Sequence, residues 1–436
     1  MKGYAKGPVK LFGMYGDQNF RVDSAFADAN GTVVFKKDSA LLGGLYLVVF
    51  PDLSIVRMLV DGNQQYSMEF DKNDVVNSMK VIGSLENELF YKNLKFEVVN
   101  GSLADSLQKR LREMEKESNA YVEMEAQIQK LKEERKAHIK LFSEKYPDNF
   151  FTKFKLAGQN PELKKILKVD GTVDDAAQVY QYRKEFWEGY DFNDTRLLRT
   201  TVYFNKLKRY ITEITPQVAD SVIKYADWIT EKSKVNKELF KFTANWIALH
   251  YKEAPVMGRE TVCVFMIEKF WTPELAFWEK DYEIQRIRAQ GAQMKLGLIG
   301  QIGKNIKGLN ENGVPVSLYD MTAPVKVLYI YSYDCDNCKK ETPKLMKTYR
   351  EWRDKGMDLF TLCLDGDTVG WKTYLKQNGM TSLNIFDPEN GTDFRGKYYV
   401  DHTPEMYVFD RNWKIIASNI GSESLPKLIE KESAKY

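Results

Sequence analysis

The most constraining feature of this 436-residue chain lies near its C-terminus. A largely apolar run, Val325–Tyr333, reads as a buried strand. It leads directly into Cys335-Asp336-Asn337-Cys338 and then into an amphipathic helix, Asp336–Lys355, with Leu345, Tyr349 and Trp352 on one side. The same alternation continues beyond it. Leu359–Leu364 reads as a strand, Thr368–Gln377 as a helix and Asn384–Phe386 as a short strand. Met406–Phe409 and Lys414–Ala417 form a hairpin across Asp410-Arg411-Asn412-Trp413, and Ser422–Lys431 closes as a helix. Strands joined by helical crossovers predict a mixed sheet covered on both faces.

The chain has four cysteines, Cys263, Cys335, Cys338 and Cys363, too few for a disulfide scaffold. A single Cys-x-x-Cys in a large chain is catalytic or metal-binding. A zinc ribbon needs a second ligand pair, and Cys263 and Cys363 are isolated in sequence. Cys263 has apolar neighbours and reads as an inert buried thiol. Cys335 opens a helix, where unpaired backbone N–H groups favour a thiolate, the nucleophile of disulfide exchange. Cys338 follows one turn on and is placed to attack the mixed disulfide that Cys335 forms. A second signal is His402-Thr403-Pro404-Glu405, just before a strand. In a thioredoxin fold a cis-proline is expected here, facing the cysteines. The backbone of Thr403 would then pair with an extended substrate segment. A peroxiredoxin would carry Pro and Thr shortly before its nucleophile, and Tyr331-Ser332-Tyr333-Asp334 offers neither.

Upstream, the chain changes character three times. Val9–Phe12, Thr32–Phe35, Gly44–Val49 and Ser54–Val60 read as strands, with turns at Asn30-Gly31, Gly43-Gly44 and Asp61-Gly62. From Ser102 to Ser143, Leu103, Leu107, Leu111 and Met114, then Tyr121, Met124, Ile128, Leu131, His138 and Phe142, fall at helical spacing, with a phase slip near Ser118-Asn119. No Gly or Pro interrupts the run, which predicts one helix of roughly 60 Å at ~1.5 Å per residue. A spacer packed on its own chain is the favoured reading, and a dimerising coiled coil is the alternative. His138 sits on the apolar stripe as a packing residue. Residues 149–300 read as helical and aromatic-rich, with Phe186, Trp187, Tyr190, Phe192, Tyr203, Phe204, Tyr210 and Trp228 as core. The predicted class is therefore multidomain. An N-terminal all-β sandwich-like domain (1–95) precedes a long helix or helical linker (96–148) and a helical domain (149–300). An α/β thioredoxin fold (301–436) completes the chain.

Leu328–Leu345, reading LYIYSYDCDNCKKETPKL, resembles the strand–CxxC–helix segment of TlpA/ResA-like thiol–disulfide oxidoreductases. Thr403-Pro404 followed by MYVFDRNWKII, after an intervening Glu405, resembles their ending. Pro404 lies 69 residues beyond Cys335, matching the insertion that separates this family from plain thioredoxin. Phe186–Phe192 with Asp194–Thr200 is similar to an uncharacterised helical domain of Bacteroidetes-type envelope proteins, and the first strands to the small β-domain that begins them. The resemblance implies Cys335 as nucleophile, Cys338 as resolving cysteine, Pro404 as the cis-proline and Glu341 as the active-site carboxylate that shuttles protons. Departures are Asp334 in place of a common Trp, and Glu405 after the proline. The acids Asp334, Asp336 and Glu341 are expected to raise the Cys335 pKa, partly offset by Lys339 and Lys340, and so to favour a reductant.

A net charge of +3 argues against nucleic acid as the main partner. No run approaches the ~20 apolar residues of a membrane span, and the start, Met1-Lys2-Gly3-Tyr4, lacks a signal-peptide core. The expectation is a periplasmic or envelope thiol–disulfide oxidoreductase, tethered through a removed signal or lipoprotein segment. It would act on protein thiol or disulfide substrates with an external electron donor. It needs no cofactor beyond a redox-active Cys335–Cys338 disulfide. The alternative is an envelope binding or scaffold protein whose cysteine pair is a redox sensor, and a homodimer through the long helix accompanies either.

Overall fold

The computed structural model describes residues 7–116, 118–253 and 258–435. The chain forms two compact units, Met1–Gln217 with Ile229–Phe242, and Val218–Trp228 with Thr243–Tyr436.

In the first unit, β1 (Pro8–Tyr15), β2 (Gln18–Phe26), β3 (Gly44–Val49) and β4 (Ile55–Val60) form one antiparallel four-stranded sheet in the order β2-β1-β3-β4. A two-stranded ribbon, β5 (Ser67–Glu69) with β6 (Lys80–Ile82), follows. The expected strand Thr32–Phe35 is irregular. Both sides of β1 are taken, by β2 and β3, and the segment is anchored instead by a turn in which Asp28 Oδ1 accepts from the Asn30 and Thr32 N–H groups at 2.9 and 2.8 Å.

α1 (Leu85–Arg112) starts ahead of the expected boundary at residue 95 because Ser84 caps it, accepting from the Asn87 N–H at 3.3 Å. Asn87, fully buried, then closes the exposed edge of β4. Its Oδ1 accepts from the Leu59 N–H at 2.8 Å and its Nδ2 donates to the Leu59 carbonyl at 2.7 Å. The single long helix is not formed. α1 ends at Glu113 and α2 (Asn119–Lys145) begins after a Ser118 cap, at the phase slip in the sequence. The two helices fold back on each other: Leu107, Met124 and Ile128 share a core, Arg135 pairs with Glu97 at 3.1 Å, and His138 stacks on Phe96 at 3.9 Å. A hairpin buries a stripe that one rod would leave in water, so the apolar positions read as a dimer seam face their own chain.

α3 (Phe150–Ala157), α4 (Asp175–Glu185) and α5 (Thr201–Arg209) complete the unit. Most of the aromatic run is core, as expected: Phe186 stacks on Tyr210 at 5.8 Å and Trp187 meets Tyr190 edge-on at 5.3 Å, but Phe192 and Phe204 are half-buried and Trp228, expected in the core, is exposed. Arg196 joins Asp194 and Asp61 at 2.6 and 2.7 Å, tying this helical region to the end of β4.

α6 (Ala219–Ser233) and α7 (Lys237–Lys252) carry the boundary between the units. The second unit continues with α8 (Glu260–Phe270), α9 (Asp281–Leu296) and a ribbon of β7 (Lys307–Leu309) and β8 (Pro315–Ser317). Cys263 is buried in α8, as its neighbours predict. Next come β9 (Val325–Tyr331), α10 (Asp336–Trp352), β10 (Met357–Cys363), α11 (Thr368–Asn378), β11 (Leu383–Phe386), β12 (Glu405–Phe409), β13 (Ile415–Ser418) and α12 (Leu425–Ser433). The sheet order is β11-β10-β9-β12-β13, with β9, β10 and β11 parallel and β12 and β13 antiparallel to their neighbours.

Every residue of β9 is buried, which makes it the axis of the sheet. Val325, Val327, Tyr329 and Tyr331 face one core, with Leu345 and Met346 of α10; Leu328 and Ile330 face the other, with Tyr407 and Phe409. Lys326 is buried too, and its ammonium is held by the Asp410 and Arg411 carbonyls at 3.3 and 3.4 Å. Among the described residues no helix is long and apolar enough to cross a membrane.

Candidate active site

The site forms where β9 ends and α10 begins. Cys335 is the N-cap of α10, with extended backbone (φ −71°, ψ 125°) and its sulfur accepting from the Cys338 N–H at 3.4 Å. The approach is fixed by Tyr333. Its ring lies against Gly366 and Gly370, where a Cβ would strike it, and its hydroxyl accepts from the Asp367 N–H at 2.9 Å. Gly366 also has φ +89°, a backbone setting that favours glycine.

The Thr403–Pro404 bond is cis, and the Thr403 carbonyl accepts from the Cys335 thiol at 3.2 Å. The sequence-predicted residues Cys335, Cys338, Thr403 and Pro404 therefore meet at one place, although 64 residues separate the second cysteine from Cys-facing Thr403-Pro404 in the chain's numbering. The loop is led there by β12, which pairs antiparallel with β9 and sets Glu405 opposite Ile330.

The two thiols differ. Cys335 is partly exposed and Cys338 is fully buried. Burial alone would raise the Cys335 pKa, but hydrogen bonds from the Thr403 side chain and from backbone N–H groups of the first helical turn outweigh it, and the pKa falls below the ordinary thiol value. This corrects the expectation that Asp334, Asp336 and Glu341 raise it: donors in direct contact act more strongly than the exposed carboxylates of Asp334 and Asp336, which water screens, and the Glu341 carboxylate is engaged by Ser422 and Lys344. Burial pushes the Cys338 thiol up to about 12. The remaining thiols are buried and raised as well, Cys263 to about 12 and Cys363 to about 11, each mainly by desolvation.

Glu341 sits one turn beyond Cys338 on α10, but its carboxylate is engaged elsewhere. Oε1 accepts from the Ser422 N–H at 2.6 Å and Oε2 lies 3.7 Å from the Lys344 ammonium. Among the described residues it makes no hydrogen bond to either cysteine. It braces the start of the C-terminal helical segment against α10.

Two groups of residues at the site had no role assigned from sequence. Glu405 is 3% exposed, accepts from the Met406 and Asn419 N–H groups at 3.2 and 3.1 Å, and lies 4.0 Å from His402. Burial holds its carboxyl well above the usual range. His402 contacts Asp401 at 2.6 Å, which, with the nearby Glu405 charge, raises the imidazole pKa to about 9 against the opposing effect of burial. The second group is a set of buried hydroxyls behind Cys338, from Tyr329, Thr342 and Tyr374. The only sequence sign of it was the unusual density of Tyr around β9.

Fold and paired thiols define a thioredoxin-like domain of the thiol–disulfide oxidoreductase class. Residues 324–415 match the thioredoxin-like family model, and the C-terminal region is TlpA/ResA-like. The chain is 25% identical over 130 residues to the thiol-disulfide oxidoreductase ResA of Bacillus cereus, covering 30% of this chain and 74% of that protein. ResA of Bacillus anthracis is 24% identical over 130 residues, with the same coverage. Among solved structures, the thioredoxin domain of a thiol-disulfide oxidoreductase from Bacteroides vulgatus is similar at 25% identity and a TM-score of 0.29, covering 30% of this chain and 96% of that one. A thioredoxin-like protein from Bacteroides caccae is similar over 63% of this chain and 99% of that one, at 14% identity and a TM-score of 0.48.

Proposed function

We propose that the protein reduces disulfides in exported proteins through Cys335 and Cys338. The observation that carries this is the asymmetry of the two thiols. One is reachable and inclined to ionise; the other, one helical turn away, is buried and held neutral. Cys335 thiolate attacks a substrate disulfide, forming a Cys335–substrate bond and expelling the other substrate sulfur as a thiolate, which takes up a proton. Cys338 then loses its proton and attacks the Cys335 sulfur. A Cys335–Cys338 disulfide forms and the second substrate thiol leaves. Two electrons have passed to the substrate, and an external dithiol donor restores the pair.

Thr403 and Pro404 position the substrate backbone beside Cys335. Glu341, on the same helix, assists proton transfer only when its carboxylate leaves the Ser422 N–H and the Lys344 ammonium. The reducing direction rests on the resemblance to ResA-like oxidoreductases; the lowered Cys335 pKa, taken alone, stabilises the dithiol and leans the other way. A periplasmic or envelope location is supported by the resemblance of the front regions to envelope proteins, and by the persistence of disulfide substrates in such compartments.

The test is turnover of a model protein disulfide by the reduced chain. Cys335→Ser abolishes it; Cys338→Ser retains attack and accumulates a mixed disulfide whose partner mass spectrometry identifies. Unchanged turnover by Cys335→Ser would sink the assignment. A midpoint potential well above that of glutathione would reverse the direction, and a purely cytoplasmic protein on cell fractionation would remove the exported substrates.

A further inference from the structure

Behind Cys338 the domain buries three hydroxyls that the exchange chemistry above does not use. Tyr329 of β9 and Thr342 of α10 are fully buried, and Tyr374 of α11 is nearly so. The Tyr374 hydroxyl shares its one proton between Thr342 Oγ1 at 2.9 Å and the Cys338 carbonyl at 3.3 Å; the Tyr329 hydroxyl and Thr342 Oγ1 are 3.0 Å apart. The rings are held in place independently: Tyr329 stacks on Tyr331 at 5.4 Å, and Tyr331 on Tyr374 at 5.6 Å. Burial raises the pKa of both phenols further above 10, so they remain neutral donors wherever the protein works.

This tether falls where α10 is weakest. Pro343 stands inside the helix. It has no N–H for the Lys339 carbonyl, and its ring crowds that carbonyl, loosening the turn that carries Cys338. Thr342 lies four residues after Cys338 and therefore on the same helix face. A hydrogen bond to the Cys338 carbonyl from another helix, α11, restrains the turn from outside. Its direct beneficiary is the resolving sulfur. Cys335 shares this turn through the Cys338 N–H, from which its sulfur accepts at 3.4 Å, but it is also held from outside the turn by the Thr403 carbonyl.

We propose that Tyr374, supported by Thr342 and Tyr329, is a positioning residue for resolution: it holds the Cys338 turn so that its buried sulfur meets the mixed disulfide in line. This rests on Cys335 being the attacking thiol and Cys338 the resolving one. Near-attack geometry is worth large rate factors, so a loosened turn slows the second step far more than the first.

The experiment is acid-quenched rapid mixing of the full reduced chain with insulin, separating free protein, mixed disulfide and oxidised protein by mass. Tyr374→Phe removes one oxygen and keeps the ring stack. Its mixed-disulfide formation stays within about twofold of wild type, while resolution falls about tenfold, the scale of one lost buried hydrogen bond. Thr342→Val behaves likewise, and Thr342→Ser, which keeps the hydroxyl, restores resolution. Equal slowing of both steps, unchanged resolution in Tyr374→Phe, or failure of Thr342→Ser to restore it overturns the proposal. Far-ultraviolet circular dichroism and thermal midpoints identify a variant that is merely unfolded; Thr342→Val and Thr342→Ser then decide. Wild-type protein that forms no mixed disulfide through Cys335 overturns the underlying reading, and this inference with it.

Discussion

The Cys335 thiol donates to the Thr403 carbonyl at 3.2 Å, so the exposed sulfur and the residue before Pro404 are joined in the dithiol form. Any substrate segment that pairs with the Thr403 backbone therefore arrives already beside the reacting sulfur. That juxtaposition makes reactivity, rather than mere exposure, the property to measure.

Iodoacetamide at neutral pH is expected to modify Cys335 first. Its pKa is lowered, whereas Cys338, Cys263 and Cys363 are buried and raised to between about 11 and about 12. Each pKa unit changes the thiolate fraction about tenfold, so the native rates should differ by more than about a hundredfold. Peptide mapping of a brief labelling pulse checks this; equal labelling of Cys335 and Cys338 contradicts the asymmetry.

His402 sets a pH dependence of stability. Its folded pKa, about 9, exceeds the ordinary 6.5, so the folded state binds the proton more tightly than the unfolded chain. The contribution is complete below pH 6.5 and is lost as pH rises toward about 9. Glu405, also raised, acts in the same direction at lower pH. Urea midpoints of the wild-type chain should fall across pH 6.5–9, and His402→Gln should flatten that slope. A parallel slope in the variant would remove His402 as its source.

Glu341 can be split into a brace and a proton carrier. Glu341→Gln keeps an oxygen for the Ser422 N–H, so its thermal midpoint should stay close to wild type, whereas Glu341→Ala should cost about 1–2 kcal/mol for the orphaned donor. If the carboxylate assists proton transfer, Glu341→Gln shifts the pH–rate profile of turnover. A wild-type profile in Glu341→Gln leaves only the brace.

Asn87 ties the start of α1 to β4 through two hydrogen bonds with Leu59. Replacing Asn87 with Leu strips the partner from the Leu59 N–H and leaves the Leu59 carbonyl only the Tyr66 hydroxyl at 3.3 Å. Equilibrium urea unfolding should show a loss of about 1–3 kcal/mol, the cost of one abandoned buried group. A change below 0.5 kcal/mol, on the scale of an ordinary surface substitution, would mean water replaces the amide.

The chemistry at Cys335, Cys338 and Pro404 was legible because it depends on short spacings and on the elements beside them. The thioredoxin-like order of strands and helices was legible for the same reason: β9 is apolar enough to be central, and α10 is clearly two-sided. The break between α1 and α2 was not, because its turn contains no Gly or Pro; only the phase slip at Ser118-Asn119 marked it. Thr32–Phe35 has strand-like composition, yet it pairs with neither edge strand of the sheet, and propensity alone does not supply a partner. The Cys335 pKa was misjudged because counting charges along the sequence weighs exposed acids that water screens and misses donors brought in by Thr403. The hydroxyls of Tyr329 and Tyr374 come from elements 45 residues apart, and nothing local announces that they converge on Thr342.

Burial of Cys338 also gives the covalent complex an internal clock. Small thiols in the surroundings can reach the outer sulfur, where they open a bimolecular release of the substrate, but have no surface on the inner one. Where such thiols are scarce, the lifetime of a captured substrate is set by the first-order attack of the buried sulfur. The ceiling on the hold time is then a property of the fold, and the compartment can only shorten it.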